Sequence, residues 1–390
     1  MNNKQLTPTY QRLWNRDFTL LTIAEAVLCM SCYATMPFMP RLLLGDGDIT
    51  PTAAAMTMAV FVAGIFISGF FGSWLIQRFR RNKVCFISSL CLATAIAAIP
   101  LASDFLPARV DTTWAMTALC LYAGLAFGQA KRVLSCTLLT DKTESCHRTE
   151  ANYAAIWTAR LTLAASPLLA GCLRPLMSAT TYHMTFAAAA VTSGLLVMGV
   201  RFPFRAPDEE VHMLSTDRFL LTKGLDVAAV IALATAALGI MMTAHANTMF
   251  YASLAAGFVT AMATLKYSVV RTGRYTAAAG NACVLAALAM MAWTEGPMHM
   301  TFKPMLLGIG LGLTLSVQIY RLLAQCDHCQ RSTAESTYFM ASDGGLFLGI
   351  ATCHMMQGGH THAALTLAAM AAIACALGAT GKRKSTPRHA

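Results

Sequence analysis

Charge is what this chain has least of: only 12% of its residues are Asp, Glu, Lys or Arg, and the acids, at 18, are outnumbered by 29 bases. With 56% hydrophobic residues and a mean hydropathy of +0.54, there is too little polar surface to coat a soluble domain of this size. Strict alternation of apolar and polar residues is missing as well. The apolar runs are rich in Ala, Leu, Met and Gly and much longer than the strands of about 10 residues that build a membrane barrel, which excludes a sheet. The 13 cysteines lie mostly inside apolar runs without the spacing of a disulfide framework and read as small packing residues. Cys326 and Cys329 flank Asp327 and His328, a thin zinc signal on which no metal is assigned. The glycines of "GIGLGL", 308–313, lack the strand-turn-helix setting of a nucleotide loop. No metal-ligand pair and no nucleophile with its base stand at a recognisable spacing on one helix, so neither an enzyme nor a cofactor is expected.

What the chain does have is length of apolar sequence. A spanning helix needs about 20 mostly apolar residues, because each rises about 1.5 Å across roughly 30 Å of hydrocarbon. Twelve such segments can be placed, at 18–42, 51–76, 84–106, 113–138, 151–173, 182–200, 225–244, 248–267, 276–294, 300–322, 336–357 and 363–381. The expected fold class is an all-α membrane protein with twelve transmembrane helices. The first run carries Glu25 and has no small-residue cleavage site, so it reads as a retained span and not as a signal peptide.

The net charge of +11 raises nucleic acid as a partner, but the placement of the charges points to the bilayer. With a cytoplasmic N-terminus, all but five of the 29 Lys and Arg fall on the tails and on connections that stay inside. The five are Arg41, Arg109, Arg160, Arg174 and Lys303. This is the positive-inside asymmetry that sets orientation during insertion. It predicts a multi-pass protein of a bacterial inner (plasma) membrane with both termini cytoplasmic and no nucleic-acid partner.

The segment "RFPFRAPDEEVHMLSTDRFLLTKG", residues 201–224, is the longest polar interruption between spans. It divides an N-terminal six-helix bundle, 1–200, from a C-terminal one, 225–390, which ends in a basic tail. Arg271 and Arg274 repeat the spacing of Arg78 and Arg81 at an offset of 193 residues, close to half the chain. Matching loops in equal halves point to an internal duplication, which in transporters sets two bundles around a site near the membrane midplane.

On these residues the whole chain resembles the major facilitator superfamily, and in particular its sugar and drug efflux members. The family's loop between its second and third spans reads G-x-L-a-D-r-x-G-r-[rk]. Leu75, Arg78 and Arg81 fit it, while Gln77 stands at the acid and Arg80 at the second glycine. Arg271, Gly273 and Arg274 match the same pattern in the second half, with Val270 at the acid. In the fifth span "TLAASPLLAG" is similar to the G-x-x-x-G-P-x-x-G-G pattern of drug-type exporters through Thr162, Ser166, Pro167, Ala170 and Gly171. In the eleventh, "STYFMASDGGLFLG" resembles a Tyr-Phe and Asp-x-Gly pattern of efflux members. Its glycines, Gly344, Gly345 and Gly349, are expected to pack on Gly64, Gly69 and Gly72 of the second span. The resemblance implies the two-bundle fold, alternating access and a charged inner gate at the loops.

An ionisable group in hydrocarbon costs at least a few kcal/mol and is a functional candidate with a partner. Glu25 and Asp343 lie seven residues into their spans, roughly 10 Å along the helix, and Arg160 and Lys131 roughly 14–15 Å into theirs. All four fall at similar depth. Glu25 and Asp343 are the expected proton or substrate carboxylates, with Arg160 and either Lys131 or Arg132 as counter-charges. A carboxylate that trades a proton for a cation can couple protonation to a conformational cycle; a static ion pair that fixes packing is the alternative. Lys131 and Arg132 point about 100° apart on a helix, so one faces the cavity and the other snorkels. At the inner mouth Asp141, Glu144, Arg148 and Glu150 stand beside the Arg78 and Arg81 loop, either as a gate of exchanging pairs or as solvated charges.

The expected function is secondary transport: export of a small organic compound against proton entry by a monomer in the lipid bilayer. A proton-linked importer of a sugar or organic acid is the first alternative. A non-transporting receptor or a membrane-embedded enzyme is the alternative of another class.

Overall fold

The computed structural model describes residues 13–45, 50–105, 112–143, 147–202, 212–216, 218–244, 247–267, 274–293, 297–327 and 330–356. Among them there is no strand, and eleven long helices account for most of the chain. They are α1 (Arg16–Thr35), α2 (Pro51–Arg78), α3 (Arg81–Phe105), α4 (Thr112–Val133), α5 (Arg148–Leu173), α6 (Ala179–Met198), α7 (Leu225–Ala244), α8 (Thr248–Tyr267), α9 (Arg274–Trp293), α10 (Pro297–Gln325) and α11 (Arg331–Met355). They correspond in order to the first eleven predicted spans; the twelfth, 363–381, lies outside the described residues.

Local chemistry sets the ends. Asn15 caps α1 by accepting from Phe18 N, Thr50 caps α2 with Pro51 in its first turn, and Ser178 caps α6. The predicted first span does not run unbroken. Pro37 sits in a 3₁₀ turn, Met36–Phe38, and the chain resumes as a seven-residue helix, Met39–Gly45, because proline cannot supply the N–H that continues a helix. The fourth span ends differently again: after Val133 the backbone widens into a single π-helical turn, Leu134–Leu138.

Among the described residues eight helical segments are long and apolar enough to cross a membrane, and this is a multi-pass membrane protein. Large apolar side chains such as Ile67, Ile87, Leu195 and Val259 are exposed around the rim, where they suit hydrocarbon. Inside, small residues let helices touch backbone to backbone. A β-carbon on Gly64 would run into the Leu121 carbonyl of α4, and one on Gly124 into the Phe61 carbonyl of α2. The same crossing recurs between α8 and α10 at Gly257 and Gly308, and Gly257 lies 193 residues after Gly64.

The helices pack as two similar sets. In the first, α2 lies on α4, α3 on α4 and α6, and α1 on α5 and α6; in the second, α8 lies on α10, α9 on α10, and α7 on α11. The sets meet where α2 packs on α11 and α5 on α8. The connecting segment is docked: Ser215 N donates to Phe70 O of α2, and Leu221 N donates to Thr337 Oγ1 of α11. Of the expected glycine contacts, only Gly344 faces α2, where it meets Phe66 and Val62. Gly345 and Gly349 face α7, Gly64 faces α4, Gly69 meets Phe219 and Gly72 meets Arg132. The glycines that approach a carbonyl of another helix do so within a set, at the α2–α4, α7–α11, α8–α10 and α9–α10 crossings.

Candidate functional site

The site is built on repeats of four, which place side chains one above another on a helix face. On α1 the sequence sets Glu25, Cys29 and Tyr33 in such a row and on α11 Arg331, Glu335, Phe339 and Asp343; the third face is made by Lys131 of α4 and Ser135 of the π-turn that follows it. The structure turns these three faces toward one another.

At the deepest point the Lys131 ammonium donates to Asp343 Oδ2 at 2.6 Å and to the Tyr33 hydroxyl oxygen at 2.8 Å. The Tyr33 hydroxyl in turn donates to Asp343 Oδ1 at 2.7 Å. Lys131 Nζ also lies 4.7 Å from the Phe339 ring centre and 5.4 Å from that of Phe127, a cation–π setting that adds to the ion pair in dry surroundings. All three polar groups are buried. Breaking such a pair by removing one partner leaves a buried charge uncompensated, whereas a proton on the carboxylate removes the charge that holds the lysine.

One turn beyond Lys131, Ser135 donates to Glu25 Oε1 at 2.6 Å, while Glu25 Oε2 is buried without a hydrogen-bond partner. Ser135 belongs to the π-turn. The carbonyl of its neighbour Cys136 accepts from Ser332 of α11 at 2.7 Å, so this widened turn ties α1 to the first turn of α11. Single π-turns inside α-helices are frequent at functional sites. Between Ser332 and Asp343 on α11 stands Glu335, fully buried, with neither carboxylate oxygen hydrogen-bonded and the Glu25 carboxylate within electrostatic reach.

The remaining intramembrane cations go elsewhere. Arg160 of α5 donates through Nη2 (2.7 Å) and Nε (3.1 Å) to the Tyr338 hydroxyl and through Nη1 (2.7 Å) to Ser316 Oγ of α10, with its guanidinium 4.9 Å from the Trp157 ring centre. No carboxylate among the described residues pairs with it, so the structure does not bring it to Glu25 or Asp343. Arg132 points away from Lys131, as their 100° separation requires, and is buried rather than snorkelling. It donates to the Ser68 hydroxyl at 2.8 Å and stacks 5.6 Å from the Phe219 ring centre.

At the mouth, Arg81 pairs with Asp141, and Glu150 is hydrogen-bonded to His147 Nδ1 at 2.7 Å. Arg78 is exposed, and the Gln77 amide donates to Ser73 Oγ at 3.3 Å. Arg148 is the first residue of α5 and stands by the Arg81 to Asp141 pair in one cavity. Arg271, Gly273 and Glu144 lie outside the described residues, as do His328 and Cys329, and Arg274 opens α9. In the export-pattern helix, Thr162 and Ser166 donate back to the carbonyls of Thr158 and Thr162 beside the internal Pro167. Ala170 is buried, and a β-carbon on Gly171 would sit 3.0 Å from Thr248 Oγ1 of α8. That helix is thus one of the two seams between the sets.

Sequence reasoning passed over Tyr33, Ser135, Ser316 and Glu335. Glu335 had a signal: counted back from Asp343 in steps of four, it falls on the same face, but it precedes the apolar run and reads as part of a loop. The hydroxyl partners had none, because Ser and Tyr are ordinary inside spans.

No protein-family model matches the sequence, and no curated protein matches it. Three solved structures are similar over nearly the whole chain. A bacterial homologue of the iron transporter ferroportin, in an outward-facing state, has a TM-score of 0.66 at 15% identity, covering 94% of this chain and 100% of its own. A mutant of the nucleoside transporter NupG has 0.65 at 12%, covering 92% and 98%. The POT family transporter PepTSo has 0.64 at 12%, covering 95% and 99%. At such identities the likeness is one of fold. The chain has the fold of the major facilitator transporters.

Proposed function

We propose that the protein is a secondary transporter that exports a small organic compound against proton entry by alternating access, as a monomer, with residues 201–224 joining its two bundles. The observation that carries this reading is the Tyr33, Lys131 and Asp343 cluster, which ties α1 and α4 of one set to α11 of the other at a single buried ion pair. A proton arriving on Asp343 cancels the attraction and frees the sets to rock; its departure restores the tie. Glu25, two turns from Tyr33 on the same α1 face and with one oxygen unpartnered, is the group that hands the proton on. The three transporters of like fold support transport as the activity, and the arginine-rich end of the bundle supports a cytoplasmic placement for the inner mouth in a bacterial inner membrane.

The test is proton movement in everted membrane vesicles, followed with a pH-sensitive dye as drugs, sugars and organic acids are added to an energised membrane. A compound that dissipates the gradient with the native protein and not with Glu25→Gln establishes coupling and the role of Glu25 together. A panel that moves no proton through the native protein overturns the coupling.

A further inference from the structure

A cavity of about 280 Å³ opens at the end of the bundle where the arginines gather. Its wall carries Arg81, Arg148, Arg218 and Arg331, contributed by four separate segments of chain, and a single described acid, Asp141, which is already bonded to Arg81. Of the nearby acids, Glu150 turns to His147, and neither it nor Asp327 is among the described lining residues. Three of the four arginines are the first residues of helices: Arg81 of α3, Arg148 of α5 and Arg331 of α11. That is the wrong end for a cation, because the helix N-terminus is itself positive and its first N–H groups point outward without carbonyl partners. Neither α5 nor α11 has a side-chain cap to satisfy those groups. Arg218 adds to the cost by holding its backbone at φ 60°, a left-handed conformation uncommon for a side-chain-bearing residue.

Like charges and positive helix ends converging on one cavity are unfavourable unless something negative enters it. The lining has unmet polar groups of its own: Asn152 is 4% exposed with its amide oxygen unpartnered, and Arg148 Nε is buried without a hydrogen-bond partner. Asn152 continues a row on α5. Arg148, Asn152, Ile156 and Arg160 follow at steps of four, so the face that lines the mouth leads inward to Arg160, a buried guanidinium whose hydrogen bonds among the described residues all go to hydroxyls.

We infer that the mouth is a binding site for a multiply charged organic anion, and that the exported compound belongs to this class, passing from the mouth along the α5 face to Arg160. The second part rests on the transporter reading; the binding does not. Anionic lipid headgroups share the chemistry, and the experiment separates the two sources.

Full-length protein in nanodiscs of phosphatidylcholine alone is titrated with citrate or inorganic pyrophosphate while its thermal unfolding is followed, and the titration is repeated with phosphatidylglycerol in the discs. Citrate should raise the unfolding temperature of the native protein, with apparent affinity falling about tenfold for each of Arg148→Gln and Arg331→Gln. Arg174→Gln, at the other end of α5, should leave it unchanged. Without anion, the double variant should unfold at the native temperature or above, since like charges have been removed, and lysine at both positions should restore part of the affinity. No shift with either anion, or a shift that survives the double variant, overturns the site. Stabilisation by phosphatidylglycerol with none by citrate assigns the mouth to lipid and overturns the substrate class. Arginine-dependent citrate binding by a protein that moves nothing in the vesicle assay keeps the site and overturns transport instead.

Discussion

Helix α5 of the first set and α11 of the second both open with arginine, and both carry a buried charge at their thirteenth position, Arg160 in one and Asp343 in the other. Each reaches across to the twentieth residue of a helix in the opposite set, Ser316 of α10 and Lys131 of α4. The scaffold is near-symmetric and the chemistry is not. The α11 crossing joins two charges, one of which a proton can cancel; the α5 crossing lays a permanent cation on two hydroxyls. A fold of two similar sets can therefore keep both crossings while making only one of them an ion pair.

The sharpest way to break this comparison is to remove one partner from each crossing. Asp343→Asn leaves Lys131 buried without its counter-charge and should cost about 3–5 kcal/mol in denaturant unfolding of the purified protein. Adding Lys131→Met should recover most of that stability while abolishing the proposed transport. Arg160→Met strands only two hydroxyls and should cost about 1–3 kcal/mol. Equal losses at the two crossings would show that the ion pair is no different in kind from the neutral one.

Glycine tests the symmetry itself. Gly64→Ala and Gly257→Ala push a β-carbon into carbonyls of α4 and α10, and each should lower stability by about 1–3 kcal/mol. If one is tolerated and the other is not, the shared offset of 193 residues reflects coincidence of spacing and not a common packing plan. The smallest effect is expected at Tyr33→Phe, about 1 kcal/mol, because Lys131 and Asp343 still meet directly when the hydroxyl is gone. A loss as large as that of Asp343→Asn would make the tyrosine, not the salt bridge, the tie between the sets.

Most of the fold was legible because hydrocarbon imposes it. Runs such as 51–76 and 225–244 have no other stable place, and the helices Pro51–Arg78 and Leu225–Ala244 follow them closely. The break at Pro37 and the start of α11 at Arg331 were harder to see, since hydropathy averages over a proline and discards a polar first turn. At the site, Lys131 and Asp343 stood out because charge in a span is costly. Which cation met which carboxylate did not, because Arg160 and Lys131 lie at the same depth and only the rotation of α4 and α5 separates them. Glu335 was hidden by the serines and threonines around it.

The π-turn at Leu134–Leu138 has no counterpart in α10, which stays regular through Gln325. A π-turn holds one residue more than the α-helix needs, and one residue is worth about 100° of azimuth. Helix α4 is thus spliced out of phase with itself. Its buried portion aims Lys131 at Asp343, while the stretch past the splice aims Asp141 at Arg81. Substitutions at the mouth can accumulate without dragging the lysine off its target, so the two ends of one rod are free to evolve as separate parts.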